Sequence, residues 1–439
     1  MKWVWRALQE TATGGVMRQS AVNLAGIAGA GLFGYLFQLV ASRRLPVGEF
    51  GELQSLAGLL GILTVFPHAL QFVGVKFIAA FGAARDGAGT RSFLRWWNRR
   101  TMLFAVIGFA AFALFAPVVA RALHLSDLRG LLALALAVSF SVAGIGWQST
   151  LVGWQRFRWV GIANAGGAFV KLAACVAIVW AFPTASSVAW SIPVAALAGW
   201  SLTALFAKRT VLPSPGAPSA AFHPSFSARN ALLVSVFLLS VGVFKNLDML
   251  FVRNLLSDET SGLYAAARVL GSAVLLVNAA IVAVCLPALC AAGGDRAKVR
   301  ITLRDASSLI TLITAGATIA FAVAPSAIIA ALFGAKYVAI APHAWLFAIA
   351  AGLISLFTLE ANLAYARNDF GISWIILGGA LLLSLLMYLF HASVETVIVA
   401  VTASNALAYL GALVWNRARD GRVCAPPGIV EVGTHQSHL

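Results

Sequence analysis

MLFAVIGFAAFALFAPVVA (102–120) runs nineteen residues without an ionisable side chain. As a helix rising 1.5 Å per residue it is about as long as the ~30 Å hydrocarbon core of a bilayer is thick. Comparable runs recur along the whole sequence. They read as spans at about 20–42, 50–75, 101–123, 130–152, 161–182, 187–207, 230–254, 262–290, 306–332, 341–366, 371–390 and 394–415. Composition agrees: 61% of residues are hydrophobic, 10% are charged, and mean hydropathy is +0.89, where soluble domains carry about 25% charge. In hydrocarbon every backbone polar group must be satisfied internally, which favours helices. The expected fold class is an all-α polytopic membrane protein of about twelve transmembrane helices. The first run is longer than a signal-peptide core and lacks a small-x-small cleavage site, so it reads as a span.

Charge sets the expected orientation. With the N-terminus inside, about 22 of the 31 Lys and Arg residues fall at inside positions, the asymmetry that orients membrane proteins. Both termini are therefore expected in the cytoplasm. The net charge of +16 reads as inside-loop charge facing anionic lipids, and nucleic acid is not an expected partner. RSFLRWWNRR (91–100) is the densest basic stretch, and its Trp pair suits the headgroup layer. Cys175, Cys285, Cys290 and Cys424 form no CxxC pair and read as small packing residues.

The segment 212–227, which contains PSPGAPSAAFHPSFS, is rich in Pro and Ser and falls between spans six and seven. It reads as a linker. The stretches on either side echo each other. LPVGEFGELQSLAGLL (45–60) follows span one and LLSDETSGLYAAARVLG (255–271) follows span seven. Each gives a polar loop, a glycine, then an apolar run. Gly51 and Gly262 are 262 − 51 = 211 residues apart, and Gly166-Gly167-Ala168 recurs as Gly378-Gly379-Ala380 at an offset of 378 − 166 = 212. The expected organisation is an N-terminal six-helix lobe (1–211), the linker, a C-terminal six-helix lobe (228–416) and a tail (417–439). Six spans per unit is even, so the pseudo-twofold axis relating the lobes runs along the membrane normal.

Catalytic constellations are missing from the sequence. It contains no GxSxG, HExxH, GxxxxGK[ST] or Cys/His ligand cluster, so neither an enzyme, a metal site nor a cofactor is expected. Transport without a nucleotide site needs H⁺ or Na⁺ coupling or a substrate gradient.

Ionisable groups at membrane depth cost about 2.5–3.5 kcal/mol each on the insertion scale and are functional candidates for that reason. Lys171 lies deepest in span five. Lys245 and Asp248 share one face of span seven and are read either as a self-neutralising pair or as cavity groups. Arg268 lies in span eight, where it either snorkels outward or lines a cavity, and the cavity reading is adopted because Asp248 and Arg253 should be near it. Glu360 lies in span ten. Lys171, Lys245 and Arg268 are the expected substrate-binding residues, with Asp248 and Glu360 as candidate ion-coupling groups. Gln38, Gln54, Gln71, Gln148 and Asn278 add polar points that helix–helix hydrogen bonding can absorb. Arg43 and Arg44 read as loop residues. The surplus of cations over acids suits an anionic substrate.

Four stretches carry a family resemblance. LPVGEFGELQSLAGLL resembles the first outer loop and second helix of the polysaccharide-biosynthesis flippases, the Wzx-like branch of the MATE-related superfamily. GWQRFRWVGIANAGGAFVKL (153–172), KNLDMLFVRNLLSDETSGLYAAARVLGSAV (245–274) and LFGAKYVAIAP (332–342) resemble their inner loop into helix five, their seven–eight hairpin and their loop before helix ten. The resemblance implies two lobes in a V around a central cavity. It also implies flipping of undecaprenyl-pyrophosphate-linked oligosaccharide from the inner to the outer leaflet of the bacterial cytoplasmic membrane, with glycan polymerase and glycosyltransferase machinery as partners. Arg268 matches a basic residue common in that hairpin. Two other readings remain open: a MATE-like ion-coupled exporter of small organic solutes, and a non-transporting scaffold of an exopolysaccharide assembly complex.

The topology has a direct test. Cysteine labels at Gly216 and Asp420 should react from the cytoplasmic side of the membrane, and reaction of either with an impermeant reagent from outside would invert the orientation.

Overall fold

The computed structural model describes residues 14–84, 86–211, 228–292 and 295–419; the expected linker 212–227 and the tail beyond residue 419 lie outside them. Twelve helical segments are long and apolar enough to cross a membrane: Ala25–Arg44, Val47–Ala83, Gly87–Ala122, Arg129–Gly153, Phe157–Ala181, Ala185–Thr210, Leu232–Leu255, Asp258–Leu286, Arg296–Val323, Ala335–Ala366, Ile372–Leu389 and Val394–Ala418. They are numbered here as spans 1 to 12. No strand occurs among the described residues.

Several spans overrun the apolar windows that reveal them, because hydropathy marks only the part that meets hydrocarbon. Span 3 begins at Gly87, capped by the Asp86 carboxylate accepting from Gly89 N, so RSFLRWWNRR is helical. Its Trp97 is buried and stacks on Phe93. The expected ninth span, 306–332, is two elements. Span 9 runs Arg296–Val323 from an Asp295 cap, and a separate helix, Pro325–Leu332, follows with proline in its first turn. Span 2 is broken at Thr64, one turn before Pro67, which has no N–H to give the carbonyl four residues back.

Packing partners repeat at an interval of six spans. In the N-terminal half span 1 packs on 5, 2 on 4, 3 on 4, 4 on 6 and 5 on 6. In the C-terminal half span 7 packs on 11, 8 on 10, 9 on 10, 10 on 12 and 11 on 12. Between the halves span 2 meets both 7 and 8, and span 1 meets 8. Under a twofold exchange the 2–7 contact becomes 8–1 and the 2–8 contact maps onto itself. The duplication echo is thus a packing symmetry, with spans 2 and 8 crossing at its axis. The second echo is also structural: Gly167 lies against Gly199 of span 6, and Gly379 against Ala408 of span 12.

The crossing is built on the first pair of glycines. A Cβ on Gly51 would sit 2.8 Å from Gly262 N, and one on Gly262 would sit 2.6 Å from the Val47 carbonyl carbon. Side chains are excluded because backbone meets backbone. Gly58 and Gly61 continue the seam against Asn246 of span 7.

Around the crossing, Arg253 forms a clasp. It is 2% exposed. Its guanidinium donates to Leu123 O at 3.1 Å, His124 O at 2.8 Å and Glu52 Oε2 at 3.3 Å in the N-terminal half. It also meets Asp258 Oδ1 at 2.9 Å and Ser261 Oγ at 3.4 Å in its own half. Glu52 is completed by Ser126, whose N and Oγ donate at 3.1 and 2.9 Å. His124 turns its carbonyl into the clasp from a left-handed conformation, φ 46°. A second strap joins span 1 to the span 9–10 connection. Arg43 donates to Leu332 O at 2.9 Å and also to Ala331 O, Tyr337 Oη donates to Ser42 O at 3.1 Å, and Lys336 donates to Leu45 O. Arg43, expected to be an ordinary loop residue, therefore ties the two halves together.

Removing one member of a buried ion pair strands the other and costs about 3–5 kcal/mol, whereas replacing both costs less. Arg253→Ala should lower the thermal unfolding midpoint of the purified protein sharply, and Arg253→Gln combined with Glu52→Gln should recover part of the loss. An unchanged midpoint for Arg253→Ala would show that the clasp does not hold the halves.

Candidate functional site

The C-terminal half encloses a cavity of about 110 Å³ between spans 7, 8, 10, 11 and 12. Tyr264 and Arg268 are one helical turn apart on span 8, and Lys245 and Asp248 are one turn apart on span 7, so two helix faces supply four polar groups. Asp248 Oδ2 accepts from Tyr264 Oη at 2.9 Å and from Arg268 Nε at 2.8 Å. Arg268 Nη2 donates to the Lys245 carbonyl at 3.0 Å. Among the described residues the Lys245 ammonium has no carboxylate within ion-pair reach, and the buried Asp248 Oδ1 has no partner.

Asp248 and Lys245 are therefore not the self-neutralising pair that one reading of their spacing suggested. The planar guanidinium of Arg268 approaches from the facing helix. It takes the carboxylate with one edge and a main-chain carbonyl with another, a match that a flexible lysine on the same helix does not offer. Arg253, expected beside Arg268, is instead committed to the clasp. The cavity wall holds two cations and one acid, and Arg268 lines it; this cavity lies within the C-terminal half.

The other two candidates lie elsewhere. Lys171 on span 5 places its ammonium 4.6 Å from the ring centroid of Phe37 on span 1, a cation–π contact within the N-terminal half. Glu360 on span 10 accepts from Asn416 Nδ2 of span 12 at 2.7 Å. The same amide donates to the Glu360 carbonyl at 2.9 Å; among the described residues no Lys or Arg forms an ion pair with the carboxylate, although Arg367 and Arg417 act on it electrostatically. Three of the five candidates meet in one cavity and two stand apart.

Sequence reasoning passed over two groups. Glu52 sits at the start of span 2, in a stretch read for its glycine, and its partner lies 201 positions away. Tyr264 lies in the quoted seven–eight hairpin, one turn before Arg268, and that i, i+4 spacing was the available signal.

A second cavity, about 190 Å³, lies in the N-terminal half among spans 2, 4, 5 and 6. Its wall includes Gln71, Gln148, Asn164, Phe140 and Trp200. Neither carboxylate nor Lys or Arg lines it, and His68 is its one titratable group.

A family model described as "Polysaccharide biosynthesis protein" matches residues 93–342. No curated protein matches the sequence. Among solved structures, the fold is similar to that of the MATE multidrug transporter DinF-BH in complex with R6G, at 16% identity and a TM-score of 0.66, covering 93% of this chain and 97% of that one. It is also similar to the inward-facing conformation of a multidrug resistance MATE family transporter of the MOP superfamily, at 15% identity and 0.65, covering 92% and 94%. An outward-facing conformation described in the same words gives 14% and 0.64, covering 92% and 95%. Both halves of the chain lie within these alignments, and the family model crosses the seam between them, so the chain belongs to the polysaccharide biosynthesis protein family and is a multi-pass membrane protein with the MATE fold.

Proposed function

We propose that this protein is a flippase that carries a lipid-linked anionic oligosaccharide, such as a polyprenyl-pyrophosphate-linked glycan, from the inner to the outer leaflet of a bacterial cytoplasmic membrane for cell-surface polysaccharide. The observation that carries the reading is the positive surplus in the C-terminal cavity, where Lys245 and Arg268 face the single carboxylate of Asp248. A phosphate is a better fourth partner there than an organic cation. Family membership favours a glycan carrier over a drug. Two lobes joined along one seam support alternating access as the mechanism. With the termini inside, the Arg253 clasp closes the outer end, and substrate enters from the cytoplasmic side. Lys171, apart from the cavity, is a secondary contact for the carrier's charge. Glycosyltransferases and a polymerase would supply and consume the substrate, and anionic lipids would meet the basic inner loops.

Lys245 gives the clean test because its ammonium supports no ion pair in the described structure. A hydrogen bond to a charged group contributes about 1.5–3 kcal/mol, so Lys245→Ala should lower surface glycan export about tenfold or more at unchanged protein level. Arg268→Ala is informative only together with Asp248→Asn, which removes the stranded carboxylate. Normal export by both the single and the double variant would remove the cavity from the account.

Energy coupling would fall to Asp248 or Glu360. Asp248 already holds two donors, one of them in an ion pair, whereas Glu360 has one amide and, among the described residues, no ion pair, with Arg367 and Arg417 acting on it only from beyond ion-pair distance, so Glu360 is the better carrier of an exchangeable H⁺ or Na⁺. One charge crossing the membrane contributes about 2.3 kcal/mol per 100 mV, enough to bias two states separated by a few kcal/mol. In proteoliposomes Glu360→Gln should abolish the response of flipping to an imposed gradient. A wild-type rate indifferent to both H⁺ and Na⁺ gradients would leave product removal as the driving force.

A further inference from the structure

We propose that the N-terminal cavity is a binding site for a neutral sugar ring, the glycan end of the substrate, while the C-terminal cavity holds the charged linkage; this rests on the flippase reading above. The cavity is polar without being charged. Gln71 on span 2, Gln148 on span 4 and Asn164 on span 5 line it, and among the described residues none of their side-chain amides makes a hydrogen bond. The Trp200 indole Nε1 is buried in the same wall and has no partner. Buried polar groups in native proteins are nearly always satisfied, which the Trp200 N–H is not, and the three amides are half-buried with no protein partner, so an occupant of this cavity has four hydrogen-bonding groups to meet.

Chemistry narrows what that is. Carboxamides donate and accept at once, which suits hydroxyl groups that also do both. A phosphate would call for cations, and an organic cation would call for a carboxylate; the wall has neither. Trp200 and Phe140 stack with ring centroids 6.1 Å apart, and an aromatic surface beside amides suits the C–H face of a pyranose. The volume of about 190 Å³ far exceeds the ~10–15 Å³ that one water needs. The ordinary alternative, helix–helix hydrogen bonding, is already absent: Ser141 and Thr203 in this wall turn back onto their own helices, and the amides reach no neighbouring span.

The experiment compares two probes on the purified full chain in nanodiscs: undecaprenyl pyrophosphate, and the same lipid bearing one glucose. Two lost neutral hydrogen bonds correspond to about tenfold in affinity or more. The wild type should bind the glucosylated lipid tighter by about that factor. Gln148→Leu with Asn164→Leu should lose the increment and keep the affinity for the bare lipid. Trp200→Phe, which keeps the ring and removes the N–H, should lose part of the increment and guards against misfolding of the double variant. Lys245→Ala should weaken both probes alike. Equal affinity of the wild type for the two lipids, or an increment that survives in both cavity variants, would overturn the proposal. A separate readout divides it from the flippase reading: free glucose at millimolar concentration should protect Asn164→Cys from maleimide. Protection without binding of either lipid would sustain the sugar site and sink the lipid carrier; no protection with lipids bound equally would sink the sugar site alone.

Discussion

Backbone-to-backbone contact at Gly51 and Gly262 is the constraint on which the rest of the architecture depends. Spans 2 and 8 cross where neither carries a side chain, so the halves approach more closely than any pair of leucines would allow. Lipid tails are as apolar as leucine, and hydrophobic burial gives membrane helices little reason to associate; close packing and polar contacts do that work. The glycines provide the first. The short approach then brings Arg253 within reach of Glu52 and of the 123–124 carbonyls, which provides the second. A methyl at either glycine would push apart groups that meet within about hydrogen-bond distance.

Scarcity of charge makes each buried ionisable residue informative. A cation in hydrocarbon needs partners enough to offset desolvation, and this chain solves the problem in three ways. Arg253 is saturated by acids and carbonyls, which suits a joint. Lys171 rests on an aromatic ring, which neutralises nothing. Arg268 takes the one acid, Asp248, and Lys245 has no carboxylate within ion-pair reach among the described residues, leaving positive charge in a cavity. Graded satisfaction distinguishes these cations where depth in the membrane does not.

The number of spans, the repeat and the glycine echo were legible in the sequence because each is written as a local pattern: apolar windows of bilayer length, and a short motif at a constant offset. The ends of the spans were not, since a helix continues into the interface with residues that hydropathy scores as loop, as 87–100 does. The candidate site was legible in part. Depth alone singled out Lys245, Asp248 and Arg268, which do share a cavity. It also singled out Lys171 and Glu360, which do not join them, because depth carries no information about which helix faces which. The pairing of Glu52 with Arg253 escaped for the complementary reason: both lie near span ends, where charge is cheap, and only the tertiary crossing buries them.

The repeat offsets also show how one scaffold came to hold two unlike cavities. The offset of 211 carries Asp248 onto Phe37 and Arg268 onto Ala57, and the offset of 212 carries Leu383, in the wall of the C-terminal cavity, onto Lys171. In both halves a cation reaches the same position, Phe37 or Asp248, yet it comes from span 5 in one and from span 8 in the other. Where that position is a carboxylate, the cation is fixed by an ion pair and a second cation, Lys245, can share the space. Where it is a phenyl ring, the contact is weaker and the polar groups of the half move elsewhere, to the amides of spans 2, 4 and 5. Packing symmetry is kept because it holds the bundle, whereas the chemistry differs within it: the Asp248–Arg268 pair joins spans 7 and 8 in one half, and the Lys171–Phe37 contact joins spans 1 and 5 in the other.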